Sequence, residues 1–392
     1  MIGIIGSGLS GLTAAKVLDE QGIDFRILEG SNQIGGRLKS DIQDGYTFDH
    51  GFQVLLTSYP QVKKHLNLEK LGIKTFAPGA RIFDGQNSHV ISDPMRDPSK
   101  IFETLFAPSK TLKDALKTLS LRTKQGEKNL QTIEYLREFG FSEQFINSFF
   151  KPFFSGVFLE KELRTPSNYF SFLFNRFSEG YASVPRGGMQ AIPHQLCENF
   201  QDKIQLNARV EHIEENADNT VVKLTDGTTL LFDKVIIAVE APALKKFFPD
   251  MELNTKARVV TTVYYKAPQS AFSDTYLFLN GSGKGRVNHI AFLSDVNPEY
   301  SPDGSNLISV NLLDVENVDP NEVLDEIKSW NQFETKNWSF LKTYPIFYAQ
   351  PDEFYQGQFN KDSSRILFAG DFTETPSIEG AMASGEKAAL KV

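Results

Sequence analysis

Cysteine is nearly absent: among 392 residues only Cys197 carries a thiol, so no intrachain disulfide and no all-cysteine metal site can form. That scarcity fits a reducing compartment. Long apolar runs are missing too, for no stretch approaches the roughly 18 residues a membrane-spanning helix needs. A first strand expected from Ile2 leaves no room for a cleavable leader, and the expected location is cytoplasmic. There is no basic stripe. The 41 Lys and Arg against 49 Asp and Glu give a net charge of −8, which argues against nucleic acid and leaves at most peripheral membrane contact open. No carboxylate and histidine cluster has metal-ligand spacing, so no metal is expected. Oligomeric state is not legible.

Tryptophan is scarce at 2 residues, but phenylalanine, at 33, is abundant. Twelve of the phenylalanines fall between Phe139 and Phe177. Two readings stay open there: a core built on phenylalanine, or the wall of a channel for an apolar substrate, because ligand pockets are mostly aromatic and aliphatic. Phe150 and Phe154 are the candidate wall residues.

The chain opens MIGIIGSGLSGLTAAKVLDEQGIDFRILEG. Ile2 to Ile5 reads as a strand, Leu9 to Leu18 repeats apolar residues at helical spacing, and Phe25 to Leu28 reads as a second strand, the first unit of a parallel sheet. Gly6, Gly8 and Gly11 lie between strand and helix. There they permit a tight turn, a close approach to a pyrophosphate and close helix–strand packing, with Leu9 and Ser10 at the positive helix end. Glu29 closes the second strand where a carboxylate accepts from ribose hydroxyls. These residues indicate a dinucleotide without separating FAD from NAD.

Further along, Tyr59 to about Leu119 reads as helices broken by loops, with SDPMRDPSK as a surface turn and IFETLFAPSKTLKDALKTL as amphipathic helix. Residues 204–239 read as strands with a hairpin turn at Asp226-Gly227. VIIAV is a strand buried on both faces, Val259 to about Val315 is strand-rich, and a helix is expected around Asn321 to Trp330. GSGKGR at 281–286 lacks the spacing of a phosphate loop and reads as a hairpin tip. RILFAGD, a strand, and SIEGAMASGEKAALKV, a helix, close the chain.

EGSNQIGGRLKS sets Gly35, Gly36 and Arg37 just after the second strand, followed by YTFDHGFQVLLTSYP. With NARVEHI and ILFAGDFTETPSIEGAMASGEKAA, the sequence resembles the flavin-dependent amine oxidase and phytoene desaturase superfamily. The resemblance implies non-covalent FAD. It places Gly36 and Arg37 along the pyrophosphate, the Val210 backbone at the adenine, Asp371 beside Gly370 on the ribityl hydroxyls, and Gly51 and Phe52 by the flavin. The amides near Ile378, Ala381 and Met382 would face the flavin pyrimidine edge. His50 and Gln53 are the substrate-contact candidates, but His50 reads first as a structural hydrogen-bonding residue, and Gln53 stands where desaturases often carry histidine, so no acid-base role is assigned to it.

The expected fold is α/β with an α+β second domain. A Rossmann-like FAD-binding domain is assembled from residues 1–75, 180–255 and 355–392, and a substrate-binding domain of helices and mixed sheet from 76–179 and 256–354. Amine oxidases are disfavoured, because their flavin-facing lysine falls near Val260 or Thr261 and no cysteine lies near the closing motif. The desaturase branch fits better. The favoured activity is FAD-dependent removal of a hydride from an apolar substrate, prenyl-lipid or carotenoid-like. Alternatives are a redox-neutral flavin isomerase and a non-catalytic flavin-binding protein. No catalytic side chain is assigned.

Overall fold

The computed structural model describes residues 1–93, 96–97, 114, 117–118, 120–359 and 361–392. The strands Ile2–Ile5, Phe25–Leu28, Ile204–Gln205, Lys234–Ile237 and Ile366–Phe368 form one parallel sheet. Numbered by chain order within this sheet, they lie 3-2-1-4-5. That is the doubly wound order, in which ligands bind beyond the carboxyl ends of the strands where the order reverses. Both faces are covered, so the strands are almost wholly apolar. Ile4, Ile27 and Ile236 join one core, while Ile5, Leu28 and Ile237 join another on the opposite face. The fold is α/β, as expected.

A seven-stranded mixed sheet lies apart from it, ordered Ser339–Pro351, Ala257–Ala267, Asn306–Leu313, Val287–Phe292, Leu277–Asn280, Gly79–Phe83, Ser88–Ser92. The last two strands correct the helical reading of residues 59–119. ARIF and HVIS alternate at period two and pair with each other, and Gly79–Phe83 adds parallel to Leu277–Asn280. Ser88–Ser92 has only this hairpin partner at the sheet edge, while Gly79–Phe83 also takes a partner distant in sequence. Most of the segment IFETLFAPSKTLKDALKTL and much of SDPMRDPSK lie outside the described residues. Gly281 to Arg286 is the tip of an antiparallel hairpin, and Asp226-Gly227 turns between Thr220–Leu224 and Thr229–Phe232. The helix expected near Asn321 runs Pro320–Ser329, capped by Asp319. No helix among the described residues is long and apolar enough to cross a membrane.

The phenylalanine-rich stretch folds as a short helix Glu143–Phe145, a π-helical turn Ile146–Phe150 and a helix Lys151–Phe158, packed beside Ser167–Glu179. Spacing by four makes two stripes. Phe150, Phe154 and Phe158 are buried inward, and Phe145, Phe149 and Phe153 stack in a second row.

Candidate active site

A cavity of about 700 Å³ opens at the carboxyl ends of the parallel strands and runs to the phenylalanine helices. Leu9, Ser10 and Gly36 line its sheet end, and behind them stands a glycine-built turn. Gly6 has φ +101°, and a Cβ there would meet the Ala238 carbonyl oxygen at 2.5 Å; a Cβ on Gly11 would stand 2.0 Å from the Gly6 oxygen. Only glycine lets turn, helix and neighbouring strand close up in this way. Gly8, the cap residue of helix Leu9–Glu20, supplies no side-chain cap, so the amides of the first turn keep their donors free of the helix. A Cβ on Gly8 would meet nothing closer than Gly36 Cα at 3.9 Å, which leaves open space at the positive helix end.

Gly8 also bridges Gly35, and Gly35 N–H donates to the Ser7 oxygen at 2.9 Å. This contact carries Arg37 to the cavity. There Arg37 Nη1 and Nη2 donate to both oxygens of Asp371, at 2.8 and 2.7 Å, and Nε lies 3.5 Å from Glu240. Burial works against the guanidinium charge, but Asp371 and Glu240 raise its pKa and hold it protonated. Arg37 is therefore no loose surface ion pair. Gln53 Nε2 donates to the Arg37 carbonyl, tying the 50–53 loop to it.

Glu29 stands at the tip of the second parallel strand. Its Oε2 accepts from Ser7 N and Oγ (2.9 and 2.6 Å), and its Oε1 from Ser31 N and Oγ (2.8 and 2.7 Å). Burial alone would raise its pKa, yet these four bonds hold it below the ordinary carboxylate value. A ribose hydroxyl would have to displace a serine hydroxyl to reach it. Ala208 N donates to the Glu29 oxygen at 2.8 Å, which sets Val210 beyond the same tip, packed with Ile5 and Leu28 and off the cavity wall.

Leu9, Ser10, Gly36, Arg37, His50, Gly51, Phe52, Gln53, Phe154, Gly370, Asp371, Ile378 and Ala381 all line the cavity. Three expectations need correction. Phe150 is fully buried among other rings and off the wall, whereas Phe149 and Phe153 of the second row and Phe154 of its own row reach the cavity. Met382 is fully buried off the wall. The Ala381 amide is already bonded to the Ser377 oxygen at 2.9 Å, and Gly380 N to Ser377 Oγ, so the first-turn amides outside the helix ladder are those of Ile378 and Glu379.

His50 stacks on Tyr344 with centroids 4.6 Å apart, and its Nε2 lies 3.0 Å from Asp41 Oδ1. Although partial burial raises Asp41, bonds from Tyr344, Lys342 and His50 hold its pKa well below the usual carboxylate range. Val260 lines the cavity where an amine oxidase lysine was sought, and Thr261 is buried with its hydroxyl on the Val315 carbonyl.

Two polar wall residues escape a reading by motif. His289 is 4% exposed and meets Phe52 edge-on at 4.9 Å; burial pushes its pKa down to about 3. Gln350 Nε2 donates to the Val157 oxygen at 3.1 Å, while its Oε1 has no partner among the described residues. The signal for His289 was strand parity. In VNHIAF, Ile290 and Phe292 join one core, whereas Ala291 joins a different one and His289 shares its parity.

A doubly wound sheet, a glycine-built turn at a helix end and an arginine beside it are the features of a dinucleotide site, and an aromatic cavity lies against them. The sequence profile of the flavin-containing amine oxidoreductase family matches residues 9–392, and the chain belongs to that family. It is 24% identical over 312 residues to an L-amino-acid oxidase of Pseudechis australis, covering 72% of this chain and 57% of that protein. The chain thus spans a little over half the length of the curated relatives it matches first. Among solved structures it resembles a putative protoporphyrinogen oxidase from Exiguobacterium sp. 255-15 (TM-score 0.74, 15% identity, 99% of this chain and 97% of that one). It also resembles cyclohexylamine oxidase from Brevibacterium oxydans IH-35A (TM-score 0.72, 16% identity, 99% and 97%). At these identities the structures speak for the fold.

Proposed function

We propose that the protein is an FAD-dependent oxidoreductase that holds its cofactor non-covalently and removes a hydride from an apolar substrate, with the prenyl lipids as the favoured class. The observation that carries this reading is continuity: one cavity joins Leu9 and Ser10 at the helix end, with Gly36 and Arg37, to a phenylalanine wall. In this reading residues 1–75, 180–255 and 355–392 form the FAD-binding domain, and residues 76–179 and 256–354 the substrate-binding domain. The residues fit the cofactor. Gly6 and Gly8 shape the turn, the first-turn amides of Leu9, Ser10 and Gly11 are free for phosphates, and Gly36 lets Arg37 lie beside them. Glu29 and the Val210 segment serve the adenosine end. Asp371 is placed for the ribityl chain, exchanging part of its Arg37 contact for hydroxyls. The amides of Ile378 and Glu379 lie where negative charge on a reduced ring is stabilised.

A flavin bound there supplies the hydride acceptor. What the chain supplies is position and dryness: Phe149, Phe153, Phe154 and Phe177 hold an apolar molecule and exclude water. With Val260 in place of a lysine, this reading does not favour an amine substrate. The single buried thiol, Cys197, supports a cytoplasmic location.

Absorption of the purified protein tests the first half: bands near those of oxidised flavin, released by denaturation without covalent attachment, are expected, and colourless protein overturns the reading. Anaerobic bleaching by a total lipid extract tests the second half. Turnover that appears only after prior reduction of the flavin overturns net oxidation in favour of isomerisation.

A further inference from the structure

His289 sits on the strand Val287–Phe292, buried in the cavity wall among apolar neighbours. Its Nδ1 lies 2.8 Å from Asn288 Oδ1. An amide oxygen only accepts, so Nδ1 carries the proton and Nε2 is left as a bare acceptor. That nitrogen is buried and has no hydrogen-bond partner among the described residues. No carboxylate accounts for the ring, because burial is the whole cause of its lowered pKa, and at physiological pH it is neutral.

The pair is closely fitted. Helix Lys151–Phe158 passes over it at Gly156, where a Cβ would come within 2.8 Å of Asn288 Oδ1 and 3.1 Å of His289 Nδ1. Phe52 closes the other side. A glycine under the helix and a ring edge against the imidazole therefore fix its tautomer and position. A buried acceptor without a donor costs on the order of 1–3 kcal/mol, and a leucine in the same space would cost nothing of that kind. Gln350 Oε1, also in the wall, is a second buried acceptor without a donor among the described residues.

We propose that His289 Nε2 is the substrate-selecting acceptor of the cavity, so that the substrate is an apolar molecule carrying a hydrogen-bond donor, an O–H or N–H group, rather than a pure hydrocarbon. The proposal rests on the reading above that this cavity takes an apolar substrate. It narrows that class, since a hydrocarbon leaves the nitrogen unpaired while a hydroxyl or N–H compound satisfies it. A site built around a donor rejects analogues lacking it far more sharply than a merely apolar pocket does.

The test compares 2-naphthol with 2-methoxynaphthalene, near-equal in shape but only the first a donor, by titration of the flavin-loaded protein followed in ligand fluorescence. Wild type is expected to bind 2-naphthol about tenfold more tightly, the worth of one good hydrogen bond. His289→Leu should bring the ratio to about one while flavin content and 2-methoxynaphthalene affinity hold, and His289→Gln should keep part of the preference. Gly156→Ala, whose Cβ would press on both Asn288 Oδ1 and His289 Nδ1, should lower the ratio by shifting the pair while leaving Nε2 chemically intact. A wild-type ratio of one, or an unchanged ratio in His289→Leu, overturns the proposal and leaves the apolar-cavity reading standing. Failure of both naphthalenes to bind wild type overturns the two together.

Discussion

At the tips of the parallel strands the polar side chains are paired: Glu29 accepts four hydrogen bonds, and Arg37 and Asp371 share two. Across the same cavity, where helix Lys151–Phe158 meets the mixed sheet, His289 and Gln350 each keep an atom with no partner among the described residues. The first region is arranged for a molecule whose charge and shape never vary. The second tolerates an energetic cost that only a bound molecule removes. A pre-paired, backbone-defined site beside an under-satisfied, side-chain-defined one is how a fold can keep a cofactor and change a substrate.

The strongest challenge to this contrast lies within the aromatic region itself. Phe150→Ala should destabilise the protein by about 3–5 kcal/mol in urea unfolding, because it empties a fully buried site. Phe149→Ala, from the cavity stripe, should cost much less than that while weakening any apolar ligand. Equal losses would merge the two stripes into one core. On the cofactor side, Arg37→Met leaves Asp371 buried without its cation, and a loss of about 3 kcal/mol together with falling FAD occupancy is expected. Adding Asp371→Asn should recover stability but not FAD, as measured by melting temperature and bound-flavin absorbance.

Glu379, unlike Glu29, is a carboxyl group that burial pushes toward its neutral form. Burial raises its carboxyl to about 7 from an ordinary 4.5, against the opposing bond from Gln61 N–H and the charge of Arg176. Below pH 4.5 the group is protonated in folded and unfolded chains alike. As pH rises to 7 the unfolded chain ionises first, so stability declines over that window and then levels off, by on the order of 2–3 kcal/mol. Glu379→Gln should remove this component, matching wild type at pH 4 and melting higher at pH 8. The smallest effect belongs to Glu29→Ala, which should reduce FAD affinity by about 1–3 kcal/mol in equilibrium dialysis. Unchanged affinity would show that Ser7 and Ser31 retain the carboxylate and that the adenosine sits elsewhere.

The cofactor side was readable because its residue choices answer to backbone geometry. Gly6 and Gly11 are glycine since nothing larger fits, and such constraints leave a local signature at fixed spacing. The phenylalanine stretch announced itself by composition, but which ring faces the cavity depended on a π-helical turn that no spacing rule predicts. Gly79–Phe83 was missed because its pairing partner, Leu277–Asn280, lies nearly two hundred residues away. The Ala381 amide lies in the cavity-facing helix end but is spent on the Ser377 carbonyl, a bond the motif alone does not reveal. His289 carries no motif at all; its meaning comes from being buried without a partner.

The last helix, Ile378–Ala389, lies so close to the first that a Cβ on Gly385 would meet the Ser10 oxygen at 2.0 Å, and Ser384 Oγ links Gly370 N to Ser10 Oγ. During synthesis the glycine turn after the first strand therefore emerges more than three hundred residues before the helix that props it. In the function proposed above, a ribosome-bound chain holds half a cofactor site throughout elongation, and capture of the cofactor becomes a late event, timed by translation and exposed until then to proteases and chaperones.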